Sequence, residues 1–361
     1  ARKAGVRLSS VAVSHIDTGW VYPGDGRYDG LLAMEDLTQD ALGRGKEVKQ
    51  WIVEAHAVVA QPKEPKMAMG SHCSDPFECG FQAYCGKGTP NAEHPVEWLP
   101  RRSNALKEMI AEKGIRDMRR VPDSMLSERQ LRVKRCTLAN ETFFDQGGAA
   151  EVLAPHGFPA YFLDFETISF AVPVWRGTRP YQNIPFQFSA HRLSASGALE
   201  HQAFIDLTGE DPSEAFAKAV TAACGDGGPV YAYHAVFEAG RLEELAQRFP
   251  KLRRDLRAII ERMIDLRPIA EEHYYHPGQR GSWSLKATLP AIAPELDYAS
   301  LEGVADGGMA MAAYREAVAP ETAAERRASI RSELLAYCRY DTLALVRLWQ
   351  HFSGKRGESA Q

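Results

Sequence analysis

No run of roughly eighteen apolar residues, the minimum for a helix that crosses a bilayer, occurs in this sequence, and no charged-then-apolar leader opens it. A membrane-spanning helix is thereby excluded, and a cytoplasmic protein without a membrane partner is the expectation. Cysteine is scarce, six in 361 residues, which argues against a disulfide framework. Positive charge is not in excess either. The 43 Lys and Arg against 47 Asp and Glu give a net charge of −4, so attraction of nucleic acid must come from a local basic surface. An initiating Met is also missing. The chain opens on Ala1 as if within a domain, and an N-terminal truncation is expected. What remains, 45% apolar and 25% charged residues, is the composition of an ordinary globular protein long enough for two domains.

The most informative stretch is Tyr161-Phe162-Leu163-Asp164-Phe165-Glu166-Thr167. Its aromatic, apolar and β-branched residues predict a buried strand, yet two carboxylates sit in it one residue apart. Alternation puts Asp164 and Glu166 on the same face, about 7 Å apart along the chain. Two such acids repel and lose hydration unless a cation lies between them, and a divalent metal is the simplest candidate. The alternative is a strand end where both acids reach water.

Two later stretches bear on that choice. Val230 to His234 predicts a second strand, and the helix opening after it carries Glu238 in its first turn. Ser329 to Phe352 predicts one long helix with Tyr337 and Asp341 four apart on one face. An acid pair on a strand, an acid just after another strand, and Tyr-x-x-x-Asp on a terminal helix together resemble the DEDD exonucleases of the RNase H-like fold, in their DEDDy subclass. Leu163 to Thr167, Thr178-Arg179-Pro180-Tyr181-Gln182-Asn183-Ile184-Pro185-Phe186-Gln187 and Gly281-Ser282-Trp283-Ser284-Leu285-Lys286 further resemble a bacterial family, formerly of unknown function, that joins such an exonuclease to a RecB-like iron–sulfur nuclease module.

The resemblance implies an α/β fold with an RNase H-like mixed sheet flanked by helices. It implies two Mg²⁺ or Mn²⁺ held by Asp164, Glu166, Glu238 and Asp341, with Tyr337 orienting the attacking water. Metal-dependent 3′-5′ hydrolysis of nucleic acid is the expected activity, on single-stranded DNA or alternatively RNA. The chain departs from the family at Tyr233-His234-Ala235-Val236-Phe237-Glu238, where many members have His-Asn-Ala-x-Phe-Asp. Glu238 is one methylene longer than Asp, and His234 replaces an amide that helps position substrate. Asp265 is the rival third ligand. Arg179 and Lys286 are candidate phosphate contacts, and Trp283 reads as a packing residue. The alternative from another class is a catalytically weak nucleic-acid-binding or scaffold protein in which these departures mark decay.

Residues 1–94 resemble the C-terminal remnant of the RecB-like module. A strand over Val6 to His15, a turn over Tyr22 to Tyr28 and a helix over roughly Asp40 to Gln61 are predicted, the helix with Val48, Trp51, Ile52, Ala55, Val58 and Val59 near helical spacing. Cys73, Cys79 and Cys85 lie within thirteen residues, crowding that favours metal or cluster ligation. By resemblance they would be ligands of a [4Fe-4S] cluster whose fourth cysteine lies before residue 1. A zinc site closed by His72, a redox sensor and uncoordinated thiols are the alternatives. The Asp and Glu-x-Lys motif of a RecB-like active site is not found between Ala1 and Met69. Cys136, Cys224 and Cys338 read as packing residues.

Residues 95–154 read as a helical connector. Between Arg101 and Cys136, eleven Lys and Arg face five Asp and Glu, an excess of six positive charges that suits phosphate or else a solvated helix face. A short helix-turn-helix is hinted at around Lys113 to Pro122. Residues 155–354 form the expected catalytic domain, with Phe170 to Pro180 a loop beside the acid pair and strands over Phe186 to Arg192 and His201 to Asp206. His273 and His276 read as surface residues, and 355–361 as a disordered tail.

Overall fold

The structure, a computed structural model, describes residues 8–65, 67, 69–73, 77–87, 92–225, 227–301 and 303–355. The chain divides into two compact units, one of residues 1–91 with Phe170–Tyr181, the other of Ala92–Ser169 with Gln182–Gln361. Val6 and Arg7 of the expected first strand, Ser74, Asp75 and Pro76 of the cysteine segment, and 356–361 of the expected tail lie outside the described residues.

The first unit opens with an antiparallel hairpin of β1 (Ala12–Ile16) and β2 (Leu32–Asp36), in which Ala12 faces Asp36 and Ile16 faces Leu32. Its connection carries Tyr22 and Tyr28 with rings stacked at 4.9 Å. The 170–181 segment joins here: Tyr22 N donates to Thr178 O at 2.9 Å, and Gly177 N to Tyr22 O at 2.8 Å. The helix expected over 40–61 is two helices, α1 (Thr38–Gly43) and α2 (Gly45–Val59), broken at Arg44 where glycines on both sides weaken helical preference. The apolar residues of α2 bury nothing among the described residues; Trp51 is 49% and Val59 84% exposed. The one-turn helix α3 (Gln82–Cys85) ends the unit's regular structure before residue 92.

In the second unit, residues read as a connector carry α4 (Asn104–Glu112), α5 (Glu128–Ala139), β3 (Phe143–Phe144) and α6 (Gln146–Leu153). Ser103 and Ser127 cap α4 and α5, Ser127 in a capping box with Gln130. Residues 113–127, with two 3₁₀ turns, separate these helices, too long a link for the hinted helix-turn-helix. Their apolar residues, Leu106, Met118 and Val133 among them, share one core with Phe162, Leu345 and Trp349.

The sheet follows: β4 (Ala160–Ile168), β5 (Ile184–Leu193) and β6 (Leu199–Ile205), then α7 (Ser213–Ala223), β7 (Val230–Ala232), α8 (Val236–Arg248), α9 (Arg253–Ile260) and β8 (Met263–Asp265). Its spatial order is β6-β5-β4-β7-β8, with β4, β5 and β6 antiparallel and β7 and β8 parallel to β4. The chain continues through α10 (Leu266–His273), β9 (Tyr274–Tyr275, paired with β3), α11 (Leu285–Ile292), α12 (Gly307–Val318) and α13 (Ala324–Ser353).

Strand alternation sorts β4 between two layers. Tyr161, Leu163 and Phe165 point into a core with Phe216 and Leu242 of α7 and α8. Phe162 points the other way, into the core with Leu345 and Trp349 of α13. Asp164 and Glu166 share the parity of Phe162, so both carboxylates are delivered to the face covered by α13. The result is a mixed five-stranded sheet between helical layers.

Candidate metal centre

The β4–β5 ladder runs in register from Ala160–Leu193 to Glu166–Gln187, then slips, so that Thr167 faces Pro185. Pro185 has no N–H to give the ladder, and the resulting bulge lies immediately after Glu166, where such irregularities re-aim side chains. Across the ladder on the same face, Asp164 opposes Ser189 and Phe162 opposes His191.

Onto this face α13 lays a polar stripe. Ser189 Oγ and His191 Nδ1 reach Thr342 Oγ1 at 2.7 and 2.8 Å, and Gln187 Nε2 donates to Leu334 O at 2.7 Å. Cys338 Sγ lies 3.6 Å from Asp164 Oδ2, positioned to donate. Held this way, α13 brings Asp341 to the strand acids. Oxygens of Asp164, Glu166 and Asp341 all lie within 4.8 Å of one another, a group that could hold a metal ion. Asp341 also accepts a hydrogen bond from Tyr298, and the Tyr337 phenol nearby helps to lower its carboxyl.

The electrostatics are those of acids crowded out of water. Burial, then Asp341, Glu166 and Glu238, raise the Asp164 carboxyl well above the usual range. Burial and Asp341 push Glu166 up to about 8, against a downward pull from Lys286. Asp341 rises to about 6 through burial, moderated by Tyr298, Lys286 and Tyr337. Burial, reinforced by the acids, also drives the Tyr337 and Tyr298 phenols far upward, so both hold their protons.

Glu238 is placed in the first turn of α8, buried, and is not within the 4.8 Å group. Its charge nevertheless reaches Asp164 and Glu166, and its Oε2 has no hydrogen-bond partner among the described residues. Burial pushes its carboxyl up to about 8. A buried carboxylate oxygen with no donor is what a cation would satisfy. Asp265, the rival, commits Oδ1 to the amides of His234 and Arg267, each at 2.9 Å, the second as the cap of α10. His234 is exposed at the β7–α8 turn with φ of 75°, a left-handed conformation uncommon outside glycine.

Lys286, exposed on α11, has its ammonium 5.2 Å from the ring centres of both Tyr298 and Tyr337. Arg179 is exposed on the 170–181 segment of the first unit. Trp283 is buried, with Nε1 donating to Tyr274 O at 2.8 Å. His273 is not a free surface residue; it is half-buried and its Nδ1 lies 2.9 Å from Asp145.

In the first unit, His72, Cys73, Cys79 and Cys85 line one open cavity of about 1070 Å³. Among the described residues their ligand atoms are not gathered within 4.8 Å as the acids are.

Sequence reasoning missed two participants. Tyr298 sits on a short turn between α11 and α12, 43 positions from the acid it bonds, with no periodicity to mark it. Cys338, read as packing, touches Asp164; its position one turn before Thr342 and three residues before Asp341 was the available signal.

A family profile described as "Domain of unknown function (DUF2779)" matches residues 161–284. It spans Asp164, Glu166 and Glu238 and stops before Lys286 and α13. No curated protein and no solved structure matches the chain.

Proposed function

We propose that the second unit is a metal-dependent 3′-5′ exonuclease of DEDDy type on an RNase H-like fold, acting on single-stranded DNA or RNA. The observation that carries this reading is the meeting of Asp164, Glu166 and Asp341 within 4.8 Å, beside the Tyr337 phenol, whose proton all three acids help to hold. Three antiparallel strands followed by two parallel ones support the fold assignment, being the β-rich start and α/β continuation of that class.

The donor set fits hard divalent cations: carboxylate oxygens, no imidazole within the group, and a buried Glu238 oxygen lacking a donor. Two Mg²⁺ or Mn²⁺ ions, when bound, would supply a water of lowered pKa and positive charge for the leaving 3′ oxygen. Asp164, Glu166 and Asp341, with Glu238 completing the set, are the residues that would hold them. Tyr337, holding its proton, orients the attacking water by hydrogen bonding rather than acting as a full base. Tyr298 fixes the Asp341 carboxylate from the opposite chain segment. Lys286 offers the nearby positive charge for a phosphate, and exposed His234 flanks the approach. The cysteine segment remains a candidate iron–sulfur or zinc site of a RecB-like remnant, and the proposed reaction does not pass through it.

Asp164→Ala tests the assignment: cleavage of an end-labelled single strand in Mn²⁺ should fall by at least about a hundredfold. Undiminished cleavage by the variant would end the reading. The displacement of Glu238 from the 4.8 Å group favours the scaffold alternative, which a wild type inactive with both metals would select.

A further inference from the structure

Most basic residues between Arg101 and Cys136 are exposed, but Arg101 and Arg129 converge, together with Arg267, on one buried acid. Glu271, 7% exposed, accepts from Arg101 through both oxygens at 3.0 Å, from Arg129 at 2.8 Å and from Arg267 at 3.1 Å. One carboxylate thus balances one of three guanidinium charges. Arg101, Arg129 and Arg132 line a cavity of about 390 Å³ beside it. Exposed Glu128 and Glu272 line it as well. With neighbouring Arg267 and Arg280, five cations stand against the three acids Glu128, Glu271 and Glu272.

Three of these five arginines are each held by an aromatic ring. Arg132 lies 4.1 Å from the centre of Phe143, Arg129 5.8 Å from Trp283, and Arg280 5.6 Å from Trp98. Stacking of this kind orders a guanidinium before it meets a ligand, and its planar fork suits phosphate. Arg101 and Arg280 both take left-handed backbone conformations, φ 47° and 50°. Gly281 brings their two segments together: a Cβ there would stand 1.7 Å from Trp98 O.

The same segment leads to the acids. Trp283 O accepts from Tyr233, the residue before His234, at 2.7 Å. Three residues further on, Lys286 exerts its charge on Glu166 and Asp341. We propose that Arg101, Arg129 and Arg280, with Trp98, form a phosphate-binding track for a single nucleic acid strand whose end lies at the acid cluster. Identifying the polyanion as nucleic acid rests on the exonuclease reading above.

The test is the anisotropy of a fluorescent oligothymidylate titrated in EDTA over a range of salt concentrations, which separates binding from cleavage. Arg101→Gln/Arg280→Gln removes two exposed arms while Arg129 and Arg267 still pair with Glu271. The dissociation constant should rise about tenfold, and the slope of log affinity against log salt should shrink by about 1.4, the share of two phosphate contacts on a single strand. The Arg101→Lys/Arg280→Lys variant should keep most of that slope, and the Mn²⁺-induced rise in thermal midpoint should match the wild type in both. Wild-type affinity and slope in the Gln variant, or a wild type that does not bind the strand, would overturn the track. A wild type that binds the strand with the expected arginine dependence but cleaves nothing would sustain the track and remove the nuclease reading.

Discussion

Glu238 shows most plainly what a buried acid costs the fold. It is 4% exposed, its carboxyl is pushed up to about 8, and one oxygen lacks a donor. An unfolded chain leaves that group near the ordinary value of 4.5, so at pH 7 to 8 its ionisation opposes folding by roughly 3 kcal/mol. Glu238→Gln removes the titration while keeping the shape. In EDTA at pH 7.5 the variant should therefore be more stable to urea than the wild type, by about 1–3 kcal/mol. Below about pH 4.5 the difference should vanish, because the wild-type group is then protonated in both states. In Mn²⁺ the order should reverse. A variant less stable than wild type in EDTA at pH 7.5 would mean that the Glu238 oxygen is already satisfied.

At the scale of elements, α13 decides whether the acids meet, and Thr342 is its main polar anchor on β5. Its hydroxyl contacts Ser189 and His191, both buried, and burial keeps His191 neutral with a pKa of about 3. Thr342→Val should strand His191 Nδ1, while Ser189 keeps its 2.8 Å contact with His201, and cost about 1–3 kcal/mol in urea titrations in EDTA. Because Asp341 is the preceding residue, the same variant should weaken Mn²⁺ binding in a direct titration. Unchanged Mn²⁺ affinity alongside lost stability would show that α13 keeps Asp341 in place by apolar packing alone.

The elements were legible where one local property dominated. β4 announced itself by apolar residues interrupted by Asp164 and Glu166, and α13 by its length and the Tyr337–Asp341 spacing. The bend at Arg44 was readable in principle from its flanking glycines. The pairing of Tyr22 with the 170–181 segment was not, since it is a backbone contact between residues more than 150 apart. Nor was the shared core of residues 95–154, because apolar spacing in α4 and α5 says that a face is buried without saying against what. Tyr298 was invisible for the same reason: its partner is chosen by the tertiary fold.

For the whole molecule the consequence is a linkage between protons, metal and stability. The carboxyls of Glu166 and Glu238 stand at about 8 and that of Asp341 at about 6, all above their unfolded values. Between about pH 4.5 and 8 the native state consequently binds more protons than the unfolded chain, so this cluster's contribution to stability falls as pH rises and levels off above about 8. Cations require the deprotonated acids, so their binding releases protons and strengthens over the same window. The thermal midpoint in EDTA should decline from pH 5 to 8 more steeply than that of an Asp164→Asn/Glu166→Gln variant. The gain on adding Mn²⁺ should grow across that range in the wild type and be small in the variant. Identical pH profiles for the two proteins in EDTA, with equal responses to Mn²⁺, would place the acids in water rather than around a cation, and the cluster would then have no claim on chemistry.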